Sequence, residues 1–392
     1  EITTRLVGSE MCIRDSDYIE ERDGVATRID LEYLRAQVIF LRAFFYAELL
    51  KHFGGVPLLD KTLPFGSPEL KEAKRATFDD CVKYILKECD DAIAVFRSVN
   101  QDWASNNFGR ANDGVALALK AKVLSLAASP LFNRPNDYPQ YDSQDPNKDL
   151  WRYSDYDKER WKTAMDAARA VINLGTYNLF IRSKDLNGKA EPGFGFYVVF
   201  QAGDTRNANL TDDDGKNNNG AFAGNILDRK YQRESGHEAA YYPPSGSHSG
   251  TRHGGYIYKE LADAFPMIDG KPINNSQYTF DPLNPAQNRD PRFNNTVIYD
   301  GALVPADDTY SATTVVNTWI GVGQTSDAVY QGTATGFYVR KGCDRLCKGS
   351  TWNPSRHNDP LIRYADILLM YAEAVNELYG PRDDAKEALK RV

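Results

Sequence analysis

The strongest constraint in this sequence is the stretch Leu31 to Leu59, LEYLRAQVIFLRAFFYAELLKHFGGVPLL. Leu31, Leu34, Val38, Leu41, Phe45 and Leu49 recur at three- and four-residue steps, and Phe44 widens the stripe. That spacing predicts a helix with these side chains on its core-facing side. Lys51 and His52 fall in the last turn, where cations suit the helix dipole. Gly54 and Gly55 supply a stop, and Pro57 prevents the helix from resuming. A long helix, a sharp stop and an extended exit follow.

More helices are written on both sides of a long irregular middle. Thr77 and Asp80 have capping-box spacing, and Phe78, Val82, Ile85, Cys89, Ala92 and Phe96 then form a stripe. A third helix starts after Asn112 or Asp113, is rich in alanine, and is ended by Pro130. A fourth runs from about Lys158 to Leu174, with Trp161, Ala164, Ala168 and Val171 on one face. From Thr176 to Asn358, Gly, Pro, Asn, Asp and Ser are frequent and apolar runs are short, such as FYVVF and TVIYD. Helical pattern returns at Asp359-Pro360, a good N-cap and N1 pair, with Leu361, Ala365, Leu368, Ala372 and Val375 on one face. A last helix opens near Asp383.

Successive helices joined by turns predict a mainly α fold of tetratricopeptide-like stacked helical hairpins, with a loop-rich insertion carrying short strands. The predicted divisions are 17–178 helical scaffold, 179–357 loop-rich region and 358–392 return to the scaffold. Residues 1–16, EITTRLVGSEMCIRDS, resemble translated sequencing adapter, so they and Cys12 are set aside as non-native. The chain is expected to be a fragment lacking both true ends.

Composition limits the partners. The net charge of −7, without a basic run, argues against nucleic acid. No apolar stretch is long enough to span a bilayer as a helix. Gly246-Ser247-His248-Ser249-Gly250 has histidine where a nucleophile elbow needs serine, and the five histidines form no H-E-x-x-H. Asp212-Asp213-Asp214-Gly215 lacks the later ligands of a calcium loop, so a solvated polar turn is expected and no metal or other cofactor is assigned. Asp366 and Glu373, seven residues apart on a helix, stand about 10 Å apart along its axis and are read as packing or salt-bridge residues. Arg289-Asp290-Pro291-Arg292 is read as a loop-locking network, with ligand contact as the alternative. Cys81 and Cys89 lie too far apart on one helix to bridge; Cys343 and Cys347 lie in the loop segment GCDRLCKG, where a disulfide is compatible with an oxidising exterior, and the alternative, a CxxxC metal half-site, has no second half.

Six blocks, in order, resemble the SusD/RagB family of surface lipoproteins. They are RAFFYAELLKHFGGVPL, residues 107–133, residues 161–179, ELADAFPMIDGKPI with RDPRF, TGFYVRK and PLIRYADILLMYAEAVNE. The resemblance implies a non-enzymatic, outward-facing protein of the outer membrane. It would capture oligosaccharides for a SusC-like TonB-dependent transporter and be held by an N-terminal lipid anchor absent from this fragment. A glycoside hydrolase acting on the same glycans and an intracellular helical-repeat scaffold are the alternatives.

Sugars present apolar C–H faces ringed by hydroxyls, so a site needs exposed aromatic rings with polar groups beside them, on loops carried by a rigid scaffold. The loops offer Phe65, Trp103, Trp319 and Tyr330, with Asn106, Asn107 and Asn317 nearby in sequence. Trp151, Tyr153 and Tyr156 form a rival cluster leading into the fourth helix.

Overall fold

The computed structural model describes residues 28–99, 109–135, 138, 144–185, 188–200, 211–215, 224–229, 243–245, 255–305, 313–341 and 359–392. Trp103, Asn106, Asn107, Cys343, Cys347 and the segments 1–16 and 246–250 lie outside them. The chain divides into two compact units, Glu1–Leu179 with Ile362–Val392, and Phe180–Leu361.

The first unit is helical. Its elements are α1 (Arg28–Phe53), α2 (Pro68–Glu72), α3 (Phe78–Val99), α4 (Asp113–Ala128), α5 (Glu159–Asn173), α9 (Tyr364–Tyr379) and α10 (Asp383–Arg391). Among the long helices, α1 packs on α3, α3 on α4, α4 on α5, α5 on α9 and α9 on α10. Each helix therefore covers the apolar face of the next, which is how helical repeats build a continuous core. The starts are set locally. Thr77 accepts the Asp80 N–H at 3.1 Å ahead of α3, and Asn112 accepts the Val115 N–H at 2.6 Å ahead of α4. All six stripe residues of α3 are buried.

The orientation of α1 differs from the expectation. Its buried side is Tyr33, Ala36, Phe40, Ala43, Tyr46, Ala47 and Leu50, whereas Leu34, Leu41 and Phe45 are 42–48% exposed. Apolar residues surround this helix, so periodicity alone offers two faces. Alanine lets α3 approach closely on the chosen face. The polar tips there also hold distant backbone. The Tyr33 hydroxyl donates to Ala111 O at 3.1 Å, and Gln37 bonds both Ala111 O and Ala111 N. Tyr46 accepts the Leu59 N–H at 2.8 Å. Arg42 and Glu88 add a buried ion pair at 2.5 Å between α1 and α3. Leucine and phenylalanine can do none of this, so the stripe with the larger apolar volume is left outward.

The start of α9 also differs. Asp359–Arg363 is a strand, and the helix begins at Tyr364. The Asp366 carboxylate accepts the Arg363 N–H at 3.2 Å and pairs with its guanidinium, closing a capping box four residues beyond the Asp359 start. A carboxylate at this position satisfies an N-terminal donor and faces the positive end of the dipole.

The second unit carries the remaining elements: α6 (Phe194–Val199), β1 (Asn225–Arg229), α7 (Lys259–Ala264), α8 (Pro291–Thr296), β2 (Val297–Ile298), β3 (Leu303–Pro305), β4 (Thr313–Val315) and β5 (Tyr338–Val339). The run FYVVF forms most of α6 rather than a strand. β2 pairs antiparallel with β5 through Val297–Val339 and Ile298–Tyr338, and β3 with β4 through Leu303–Val315. Ile298, Ala302, Val304, Val316 and Tyr338 form one core cluster, and Ile257, Ala262, Phe293 and Val297 another.

Two glycines end α1. Gly54 has φ +68°, and a Cβ there would meet the Leu150 carbonyl oxygen; at Gly55 it would meet that of Ala76. Gly54→Ala should therefore lower stability by about 1–2 kcal/mol from the left-handed backbone alone, with the carbonyl contact adding to it; urea denaturation measures this, and an unchanged midpoint contradicts it. Cys81 and Cys89 are free and buried, and burial pushes the Cys89 thiol up to about 12. Both should resist alkylation in the folded protein and react after denaturation, as read by mass spectrometry.

Candidate functional site

In the second unit, short polar side chains fix the backbone on either side of two exposed aromatics. The Asp300 carboxylate accepts the Thr318 N–H at 2.7 Å and its hydroxyl at 3.3 Å. Asn317 Oδ1 accepts the Trp319 N–H at 3.3 Å, and the Thr325 hydroxyl donates to Asn317 O at 3.0 Å. The loop that carries Trp319 is thus closed by its own side chains. The ring of Trp319, 47% exposed, lies against Gly321, where a Cβ would collide with it.

Tyr330 is held by a second set of bonds. Asp327 is fully buried; its carboxylate accepts the Ser245 N–H at 2.7 Å and takes the Ser245 hydroxyl as well. The buried Tyr338 hydroxyl donates to Asp327 O at 2.9 Å, and burial raises the Tyr338 phenol well above its usual range. Tyr330 itself has φ +68° and is 85% exposed. A bulky residue in the left-handed region is strained and persists only where its surroundings impose it. The Tyr330 N–H to Thr333 O bond at 2.8 Å and the Gln331 N–H to Ala328 O bond at 2.9 Å impose it here. The Val329 N–H donates to Thr318 O at 3.0 Å, so the neighbours of Trp319 and Tyr330 are joined backbone to backbone. Two aromatic rings in solvent on a braced backbone can stack on an apolar ligand face without first being ordered.

The other expected residues are distributed differently. Phe65 is 93% exposed in a turn of the first unit, apart from the Trp319–Tyr330 loops in the fold's division. The rival cluster separates. Tyr153 is buried edge-on to Phe78 with the Arg160 guanidinium 3.6 Å above its ring, so it seats α5. Trp151 instead lies 43% exposed, with Arg75 4.5 Å above its ring. It borders a cleft of about 730 Å³ at the end of α1, lined also by Lys51, His52, Phe53, Leu131, Arg134 and Arg152. This cleft was not legible locally, because Lys51, Arg75 and Leu131 come from three separate segments.

The charged motifs do structural work. Arg289 is buried, and its guanidinium donates to Ala262 O at 2.6 Å and Phe265 O at 2.8 Å over the Phe293 ring. It ties the chain after α7 to the start of α8, and this is the expected loop lock. The Asp213 carboxylate accepts the Ser183 N–H and braces a turn. Asp366 is engaged by Arg363, as described above. Among the described residues, no group of three or more His, Cys, Asp or Glu is placed to hold a metal ion.

Two family models match this chain. One, described as the SusD family, matches residues 212–392. The other, described as starch-binding associating with outer membrane, matches residues 16–124. No curated protein matches. Among solved structures, a SusD-like protein from Bacteroides fragilis is 22% identical with TM-score 0.65, covering 97% of this chain and 64% of that one. A SusD-like carbohydrate binding protein from the same species is 19% identical with TM-score 0.61, covering 94% of this chain and 59% of that one. The surface glycan-binding protein A from Bacteroides uniformis is 14% identical with TM-score 0.56, covering 100% of this chain and 63% of that one. The chain spans roughly three-fifths of the length of these structures, and at such identities the likeness is one of fold.

Asp290 gives a pH test of the loop lock. Burial opposes its ionisation, but the side-chain and backbone donors of Arg292 outweigh this and hold its carboxyl below the usual range. A carboxyl held low in the folded state stabilises above its unfolded pKa of about 3.9, and the contribution is lost as pH falls through the folded value. Asp290→Asn should lower stability at neutral pH and flatten the acid limb of the stability curve, with an unaltered acid limb as the contrary result.

Proposed function

The chain belongs to the SusD/RagB family, and from that premise we propose that it captures oligosaccharides at the outer membrane, facing outward, and passes them to a SusC-like TonB-dependent transporter. The observation that carries this reading is the braced pair Trp319 and Tyr330, 47% and 85% exposed. Family membership supplies the context. One matching model is described as starch-binding, and two structural neighbours are described as carbohydrate- or glycan-binding.

In this reading binding is by stacking and carries no bond cleavage. Sugar C–H faces lie on Trp319 and Tyr330; Phe65 is an exposed ring of the other unit, and Trp103 and Asn106, the remaining expected ligand residues, lie outside the described residues. Strain at Tyr330 has a use on this account: the left-handed backbone turns the ring out to solvent, and the Asp327–Ser245 and Tyr338 bonds hold it there.

Trp319→Ala and Tyr330→Ala, made separately, should each weaken binding of the preferred neutral oligosaccharide by roughly 1–3 kcal/mol, on the scale of base–aromatic stacking. Calorimetric titration reads this, with circular dichroism to establish that the fold is intact. Unchanged affinity in both variants would remove this pair from the site. Release of reducing sugar by purified protein would contradict the non-catalytic reading, and isolation from the native membrane without a β-barrel partner would contradict the transporter assignment.

A further inference from the structure

The cleft at the end of α1 is not lined by Trp319 or Tyr330, and its lining is rich in cations. The chain carries a net charge of −7, but Lys51, His52, Arg75, Arg134 and Arg152 line this one cleft. Among the described residues no Asp or Glu lines it. The nearby carboxylates are engaged at its edge. Glu48 sits 2.5 Å from Lys51 and 3.9 Å from His52, and Asp145 accepts the Trp151 indole N–H at 3.4 Å. Arg75 donates to Phe53 O at the end of α1 and to Gly55 O beyond it, at 2.6 Å each. The rim also carries apolar groups, with Phe53 57% and Leu131 59% exposed beside Trp151.

We infer that this cleft is a second saccharide site, selective for sugar units that carry an acidic group, a carboxylate or a sulfate. The saccharide part rests on the glycan-binding reading above; the acidic part rests on the cleft alone. Its volume of about 730 Å³ is that of a small-molecule pocket. The apolar groups of the rim take the C–H face of a sugar ring. Guanidinium and ammonium groups take the anion, guanidinium by paired N–H donors that match a carboxylate or sulfate. Arg152 already donates to Tyr153 O and Lys51 pairs with Glu48, so the anion draws on the remaining donors and on the net positive charge of the lining, and the cleft discriminates by charge rather than by ring shape.

The test titrates the protein with three probes: tri-galacturonic acid, its fully methyl-esterified form, and a sulfated galactan trisaccharide. Wild type should bind tri-galacturonic acid, the sulfated probe, or both, at least about ten-fold more tightly than the ester, and added salt should weaken that binding. The arm that responds identifies the acidic group. Lys51→Glu combined with His52→Glu, both at the exposed rim, should remove the preference, and Trp151→Ala should weaken the acidic probe. Trp319→Ala should leave the acidic preference in place. Equal binding of acid and ester, or of none of the three, overturns the inference. So does a preference that survives Lys51→Glu/His52→Glu but is lost in Trp319→Ala. That last result would leave the proposed function standing and assign the acid to the Trp319 loop.

Discussion

The structure of the first unit turns on Arg75. Its guanidinium satisfies the carbonyls of Phe53 and Gly55 where α1 ends and stacks on Trp151, the residue after Leu150. The Gly55 N–H donates in turn to Leu150 O at 2.6 Å. Three segments therefore meet at one point: the end of α1, the approach to α3, and the chain that leads to α5. Carbonyls at a helix C-terminus have no intrahelical donor, and Arg75 supplies one to Phe53 O. A single planar cation with several donors meets Phe53 O at the helix end and Gly55 O just beyond it, and keeps a face for an aromatic ring. Glycine at 54 and 55 is the condition for that approach, since a side chain at either would strike a carbonyl oxygen.

The second unit obeys a different rule. It has little regular structure to absorb its backbone polar groups, so short side chains do so instead. Asp300, Asn317, Thr325, Asp327 and Ser245 are used in this way, so side-chain hydrogen bonds fix the loops beside the small apolar clusters of this unit. Such a region can carry large aromatics outward without collapsing onto them. The braced backbone at Trp319 and Tyr330 is a direct product of that economy of regular structure.

Helix existence was legible in the sequence because periodicity and caps act within a few residues: Thr77, Asn112 and the Phe78 to Phe96 stripe do what their spacing implies. Helix orientation was less so. On α1 the leucine stripe and the tyrosine–alanine stripe are both apolar, and the choice between them depends on Ala111, Leu59 and Glu88, which lie elsewhere in the chain. The start of α9 was misread for a similar reason, since the Asp366 carboxylate outcompetes the Asp-Pro signal. Aromatic candidates were recognisable as loop residues, but their bracing was not. Ser245 meets Asp327 across 82 positions, and no local pattern announces that bond. The cleft beside Trp151 was hidden in the same way, because its cations come from separate segments.

The proposed function requires that ligand be held on a loop pair that is already rigid. Hydrogen–deuterium exchange with and without a bound neutral oligosaccharide tests this most directly. Slow exchange is expected already in the free protein at the Thr318, Val329 and Tyr330 amides, with further protection on binding confined to the loops around Trp319 and Tyr330. Fast exchange of these amides in the free protein, or ligand protection that leaves both loops unaffected, would contradict it.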